Sequence, residues 1–206
     1  MRRCIAAFML VAGLFGTTPA YSSTIDFTAA YDVSNWTAIV DGGSIRIAGA
    51  PFSVSLESAN MFAGGSQFAR PSKQDFLFTA FETATISFAW SYSTNDMDGP
   101  YYDPFGWLLN GDFTSLTGTL HRGCLFDVFL GGRNPECDQS GMVSFLVDPG
   151  DVFGFRAASL DSAEGPAITT VSNFSATTPV PEPSTFILLG SGCLFATWRR
   201  FRWSAI

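Results

Sequence analysis

The strongest indication of the fold is the alternation in residues 85–92, Thr-Ile-Ser-Phe-Ala-Trp-Ser-Tyr. Large apolar side chains stand at every second position, and small or polar side chains fill the positions between them. Because side chains of a β-strand point alternately to its two faces, this pattern predicts a strand with one buried face. Trp90 and Tyr92 share that face with Ile86 and Phe88, so we expect both rings to lie in the core.

The same alternation recurs along residues 24–178. It covers 45–47, 52–56 and 143–147, and glycine and proline pairs such as Pro149-Gly150 separate the runs. Spacing of this kind predicts about nine strands in an antiparallel β-sandwich. The 21 phenylalanines suit a core that is packed from two inner faces. We expect an all-β, jelly-roll-like sandwich over residues 23–178, with an open barrel as the alternative.

The first 22 residues have the three regions of a secretory signal peptide. Arg2 and Arg3 form a basic start, and residues 5–16 are an apolar run that is too short to span a bilayer comfortably. Small residues then allow cleavage after Ala20 or after Ser22. We therefore predict an exported chain with a signal peptide over residues 1–22.

Residues 179–206 contain a second apolar run with a basic end. The prolines of Val-Pro-Glu-Pro-Ser at 180–184 exclude a helix interior and a central strand, and they predict an extended joint. Residues 186–198 are predicted to form a transmembrane helix, which reaches about 20 Å at roughly 1.5 Å per residue and is marginal for a bilayer span. The arginines that follow favour a cytoplasmic C-terminus, with the bulk of the chain outside.

This order of motif, apolar segment and basic end resembles the PEP-CTERM sorting signal of exported bacterial proteins. The resemblance implies that Pro181, Glu182 and Pro183 are read by an exosortase, a membrane enzyme that processes such tails. It also implies that residues 186–198 anchor the chain transiently in the inner membrane. The basic stop on this resemblance is formed by Arg199, Arg200 and Arg202.

Residues 23–178 are more loosely similar to the sandwich ectodomains that often carry such tails, which implies a fold and no activity. The expected destination is the cell surface or the extracellular space, where polysaccharide is an expected partner beside the exosortase and the secretion machinery.

The net charge of the central segment excludes one class of partner. The chain has 11 basic and 18 acidic residues. Five arginines and Glu182 lie in the two end segments, which leaves 6 basic and 17 acidic residues and a net charge of about −11. Such a charge argues against nucleic acid and against anionic membrane surfaces, and it is compatible with bound cations.

Two of the four cysteines, Cys124 and Cys137, lie in the predicted exported domain. An even pair in an oxidising compartment predicts a disulfide. Closing a loop of this size stabilises the fold by about 3 kcal/mol in the chain-entropy model. Two thiolates with one distant histidine do not complete a zinc site, so we favour the disulfide.

The densest acidic cluster is a predicted turn that contains Asp96, Asp98 and Asp103. Carboxylate oxygens are the ligands that Ca²⁺ prefers, and Asp161 is a more distant candidate ligand for the same structural ion. The alternative is that these aspartates cap turns through hydrogen bonds to the backbone. Tyr101 and Tyr102 lie in the same turn and are candidates for stacking on sugar rings. Both questions stay open at the level of sequence.

Signals for catalysis are thin. His121 is the single histidine, and the chain has no Gly-x-Ser-x-Gly elbow and no phosphate-binding glycine loop. We therefore predict a non-enzymatic, exported surface or extracellular-matrix protein that requires no cofactor. The alternatives are a glycan-binding module at Tyr101 and Tyr102 and a glycoside hydrolase-like enzyme that uses aspartates of the same loop.

Overall fold

A computed structural model describes residues 20–61, 70–118, 124 and 134–180. The chain divides into two units, of which one is Ser23–Thr178 and the other combines Met1–Ser22 with Pro179–Ile206. The predicted signal peptide lies outside the described residues except for positions 20–22, which begin the first strand. Residues 181–206, with the predicted sorting motif, transmembrane helix and basic stop, lie outside them entirely. The signal peptide, the transmembrane helix and the basic stop stay predictions.

The described residues form eleven strands, two more than the sequence predicts, and three short 3₁₀ turns. The strands are β1 Ala20–Ile25, β2 Thr37–Val40, β3 Ser44–Arg46, β4 Ser53–Glu57, β5 Ser72–Thr79, β6 Ala84–Thr94, β7 Phe105–Leu109, β8 Asp112–Ser115, β9 Asp138–Val147, β10 Val152–Ser159 and β11 Ala167–Val180. The turns are Ala29–Tyr31, Val33–Asn35 and Pro135–Cys137. No helix in this part of the chain is long and apolar enough to cross a membrane.

The strands make two antiparallel sheets. One has six strands in the order β3-β4-β11-β6-β9, with β1 paired to β11, and the other has five in the order β2-β5-β10-β7-β8. Between β4 and β11 the chain crosses repeatedly from one sheet to the other, so neighbours within a sheet are distant in sequence. This strand order is that of a jelly roll. The predicted all-β antiparallel sandwich is therefore confirmed.

Strand β6 is an interior strand of the six-stranded sheet, between β11 and the edge strand β9. Ile86, Phe88, Trp90 and Tyr92 all point inward and are buried, as the alternation predicts. Trp90 lies opposite Gly141 of β9. A Cβ at Gly141 would sit 2.9 Å from the indole nitrogen, so glycine makes room there for the large ring.

Trp36 fills the centre of the core between the two sheets. Its indole stacks on Phe76 with ring centroids 4.8 Å apart and on Phe155 at 5.5 Å. Its Nε1 donates a hydrogen bond to the carbonyl oxygen of Tyr31 at 3.0 Å. Aromatic pairs in such arrangements add to the burial of apolar area, so this cluster links β5, β10 and the turns that precede β2.

Two apolar side chains assigned to buried faces point into water. Phe52 is 70% exposed and Ile47 is 48% exposed, while Val54 and Leu56 are buried as predicted. The chain turns between β3 and β4, where Ser53 N donates to Gly49 O at 3.0 Å. Alternation fixes a face only within a continuous strand, and this turn separates both residues from the strands beside them.

Candidate functional site

The acidic loop, residues 95–104, connects β6 to β7. Its first turn is organised by Asp96, whose Oδ1 accepts hydrogen bonds from the backbone N–H of Asp98 and from that of Gly99 at 3.0 Å. The hydroxyl of Thr94 in turn accepts the N–H of Asp96 at 3.0 Å. Asp96 therefore has the turn-capping role that the sequence leaves open as an alternative.

The three aspartates of the loop lie in different environments. Asp96 is 0% exposed and Asp103 is 1% exposed, whereas Asp98 is exposed. Neither oxygen of the Asp103 carboxyl has a hydrogen-bond partner of normal geometry, and nor does Oδ2 of Asp96. The fold brings Asp96 and Asp103 together inside and leaves Asp98 in solvent.

Burial and neighbouring negative charges disfavour the ionised form of both buried carboxyls. Burial, followed by the charge of Asp96, raises the pKa of Asp103 well above its usual range, although the nearby hydroxyls of Ser159 and Ser58 oppose that rise. Burial also raises the pKa of Asp96, against the two backbone N–H groups that bind it. The charge of Asp161 raises both pKa values.

Asp161 lies in the loop after β10, and its carboxylate accepts hydrogen bonds from neighbouring residues of the same segment. Its Oδ1 accepts the N–H of Ala163 at 3.1 Å and the hydroxyl of Ser159 at 3.5 Å. In the described ranges, no three His, Cys, Asp or Glu side chains are grouped as metal ligands. The structure therefore places Asp161 near the buried pair without making it a third member of one cluster.

The predicted disulfide between Cys124 and Cys137 is present, with the two Cα atoms 5.6 Å apart. The N–H of Cys124 donates to the carbonyl oxygen of Asp96 at 2.9 Å. Cys137 lies directly before β9, which is the neighbour of β6. The disulfide thus ties the excursion between β8 and β9 to the start of the acidic loop. His121 and most of that excursion lie outside the described residues.

Tyr101 and Tyr102 are half-buried. Their rings meet edge to face with centroids 5.2 Å apart, so each ring covers part of the other ring and reduces its exposed area. The N–H of Leu160 donates to the carbonyl oxygen of Tyr102 at 2.7 Å, which fixes the loop against the end of β10. The pair therefore offers a partly covered aromatic surface, and its role in stacking on sugars stays a prediction.

The outward face of the six-stranded sheet is lined with hydroxyl groups, a feature that the sequence argument missed. We name as the hydroxyl face the outward side chains Ser53, Ser55, Thr85, Ser87, Ser91, Ser93, Ser140, Ser144, Thr170, Ser172, Ser175 and Thr177. Neighbours on adjacent strands bond to each other, as Ser87 does with Ser144 at 3.0 Å and Ser55 with Thr170 at 3.1 Å. The alternate serines of β4 and β6 are visible in the sequence, but only strand pairing joins them into one surface.

These features define a disulfide-bonded, all-β sandwich domain that is followed by a short sorting tail. Residues 179–202 match the family model described as the PEP-CTERM protein-sorting motif, and the chain carries this motif. The predicted resemblance is confirmed. The motif implies an exported protein that is sorted at the membrane.

Among solved structures, the chain is similar at low identity to several sandwich domains. A family 35 carbohydrate binding module from Clostridium thermocellum is 11% identical, with 77% of this chain and 99% of that chain covered and a TM-score of 0.34. The K3 cleaved adhesin domain of Lys-gingipain from Porphyromonas gingivalis is 14% identical, with 76% and 99% covered and a TM-score of 0.38.

TmCBM61, solved in complex with beta-1,4-galactotriose, is 7% identical, with 76% and 100% covered and a TM-score of 0.37. At these values, the likenesses identify neither a family nor a ligand for this chain. No curated protein shows significant similarity to the sequence.

Proposed function

We propose that this protein is a non-enzymatic surface or extracellular-matrix protein, delivered by the secretion machinery and processed by an exosortase through its tail. The observation that carries the proposal is the match of residues 179–202 to the PEP-CTERM protein-sorting motif. On this proposal, residues 186–198 hold the chain in the inner membrane until the tail is cut near Pro181, Glu182 and Pro183. The sandwich is then released or retained among extracellular polysaccharides.

The position of the buried aspartates supports a non-catalytic sandwich. A general acid or nucleophile of a glycoside hydrolase must reach the glycosidic bond of its substrate. Asp96 and Asp103 are 0% and 1% exposed, so these two carboxyls are closed to a sugar chain. The hydrolase alternative, which relies on aspartates of this loop, therefore has only exposed Asp98 left.

The proposal is tested by the intact mass of the extracellular form, produced in a host that contains an exosortase. We expect a mass that lacks everything after the region of Pro181. A Glu182→Ala variant is expected to keep the tail, because the motif is no longer read. Glu136→Ala is the matched control, since Glu136 is an exposed glutamate of the sandwich, and it should be processed like wild type. An extracellular wild-type form that still contains residues 203–206 would contradict the proposal.

The hydroxyl face supports a second candidate function, the binding of a neutral polysaccharide. Serine and threonine hydroxyls donate and accept hydrogen bonds, as sugar hydroxyls do, and their short side chains lose little entropy when they are fixed. Among the described residues, charged side chains stand at the margins of this face, in the Arg46–Glu57 ion pair and at Asp138. A negatively charged domain thus presents one nearly neutral surface, on which the exposed side chains of Met142 and Leu146 stand among the hydroxyls.

A pull-down on insoluble neutral polysaccharide separates the two surfaces that could bind a glycan. If the hydroxyl face binds, lysines introduced by Ser91→Lys and Ser144→Lys should abolish retention, because long charged side chains cover the neighbouring hydroxyl groups. If the aromatic pair binds, Tyr101→Ala with Tyr102→Ala should abolish it instead. Failure of the wild-type protein to be retained would end this candidate function without touching the sorting proposal.

A further inference from the structure

Two carboxyl groups of the acidic loop are buried with three of their four oxygens unpaired. Asp96 is 0% exposed and Asp103 is 1% exposed. Oδ2 of Asp96 and both carboxyl oxygens of Asp103 make no hydrogen bond of normal geometry. Buried charges in proteins are paired or coordinate a metal, so these three oxygens require a cation or a proton.

Elsewhere in the sandwich, a buried carboxylate is paired with a basic side chain. Asp75 is 3% exposed, and its two oxygens accept hydrogen bonds from Arg156 at 2.6 and 2.7 Å. The lysine and arginines of the described residues all pair with carboxylates outside the acidic loop, in the ion pairs Arg46–Glu57, Arg70–Asp41, Lys73–Asp75 and Arg156–Asp75. Within this part of the chain, no basic side chain neutralises Asp96 and Asp103.

We propose that Asp96 and Asp103 bind one hard divalent cation, and that Ca²⁺ is the ion their oxygens select. Two ionised carboxylates balance its two positive charges. Ca²⁺ takes about six to eight oxygen ligands, including backbone carbonyls and water as well as carboxylates. Two carboxylates supply part of that set, and backbone carbonyls and water would complete it.

The position of the pair gives the ion a structural role. Asp96 opens the loop between β6 and β7, and Asp103 closes it, so one ion holds both ends of the loop together. The carbonyl oxygen of Asp96 accepts the N–H of Cys124 at 2.9 Å, and that of Asp103 accepts the hydroxyl of Tyr92 at 3.0 Å. Binding therefore also secures the disulfide-linked segment and the inner face of β6. The strong negative charge of the domain raises the local concentration of cations around this site.

The experiment uses the full-length chain, stripped of metal with a chelator. Ca²⁺ is titrated by calorimetry, and the melting temperature is measured in excess Ca²⁺ and in EDTA, with Mg²⁺ at equal concentration as the ionic control. We expect one Ca²⁺ per chain and a higher melting temperature in Ca²⁺. At a free Ca²⁺ concentration of 100 times the Kd, the ratio of folded to unfolded protein should rise about 100-fold. Equal melting temperatures in Ca²⁺ and EDTA would overturn the proposal, whatever the variants show.

Amide variants identify the ligands. Asp103→Asn and Asp96→Asn should lose the response to Ca²⁺, while Asp98→Asn, an exposed aspartate of the same loop, should keep it. In EDTA, Asp103→Asn should melt at or above the wild-type temperature, because the amide removes a buried charge. In Ca²⁺ it should melt below wild type. A residue that only held the turn would lower both temperatures equally, and that result, or a retained Ca²⁺ response in Asp103→Asn, would refute the assignment.

Discussion

Replacing Trp36 by alanine is expected to bring the domain close to its unfolding threshold. The indole is 7% exposed, and it stacks between Phe76 and Phe155 in the centre of the core. Removal of a buried tryptophan costs about 3–5 kcal/mol. The substitution also leaves the buried carbonyl of Tyr31 without the N–H that it accepts at 3.0 Å, which costs about 1–3 kcal/mol more. Since domains are stable by about 5–15 kcal/mol, the sum is a large part of the whole.

The free energy of unfolding is measured by urea denaturation, followed by far-ultraviolet circular dichroism, with the disulfide intact. Trp36→Phe keeps a ring between Phe76 and Phe155 and loses only the donor and part of the area, so its loss should be about 1–3 kcal/mol. Trp107→Ala is the matched control, because Trp107 is half-buried and stacks on Phe145 at the edge of the core. A loss below about 1 kcal/mol for Trp36→Ala, or a smaller loss than for Trp107→Ala, would refute the central role of this ring.

Three further predictions concern the disulfide, a buried ion pair and alkaline pH. Replacing Cys124 and Cys137 by serine should lower the free energy of unfolding by about 3 kcal/mol for a loop of this length, measured against wild type under oxidising conditions; no change would contradict it. Arg156→Ala leaves buried Asp75 with only the 3.9 Å contact to exposed Lys73 and should cost about 3–5 kcal/mol, whereas a double variant, Arg156→Met with Asp75→Leu, should recover most of that loss in a double-mutant cycle. Burial raises the pKa of Tyr31 to about 12. An unfolded tyrosine titrates near 10, so the contribution of Tyr31 to stability should hold below about pH 10 and be lost as the pH rises towards 12. Tyr31→Phe should remove that part of the pH dependence, and an unchanged slope would contradict the assignment.

Much of the fold could be predicted because large and small side chains alternate regularly along β6. The alternation of residues 85–92 placed Ile86, Phe88, Trp90 and Tyr92 on one face, and all four are buried in β6. The disulfide was predictable from the count of cysteines in an exported segment. Phe52 was placed on the wrong side, because a turn ends the alternation before β4 begins, and a period of two carries no information beyond a strand's end.

The candidate site was only partly readable from sequence. Asp96, Asp98 and Asp103 are close in the chain, and their spacing gives no sign that two are buried and one is exposed. Ser58, directly after β4, and Ser159, at the end of β10, lower the pKa of the Asp103 carboxyl from distant parts of the chain, and no local pattern indicates that they lie near it.

The amino-acid sequence is enough to show which large side chains β6 buries, how the two cysteines of the domain pair, and which sorting motif follows the sandwich. These are local or compositional properties: a strand's period, a count, a short motif. Only the tertiary structure decided that β6 lies between β11 and β9, which makes one hydroxyl face out of scattered serines and threonines. It also decided that Asp96 and Asp103 are buried with three of their four carboxyl oxygens unpaired. Burial depends on what packs against a residue, and in a jelly roll the packing partners come from distant parts of the chain.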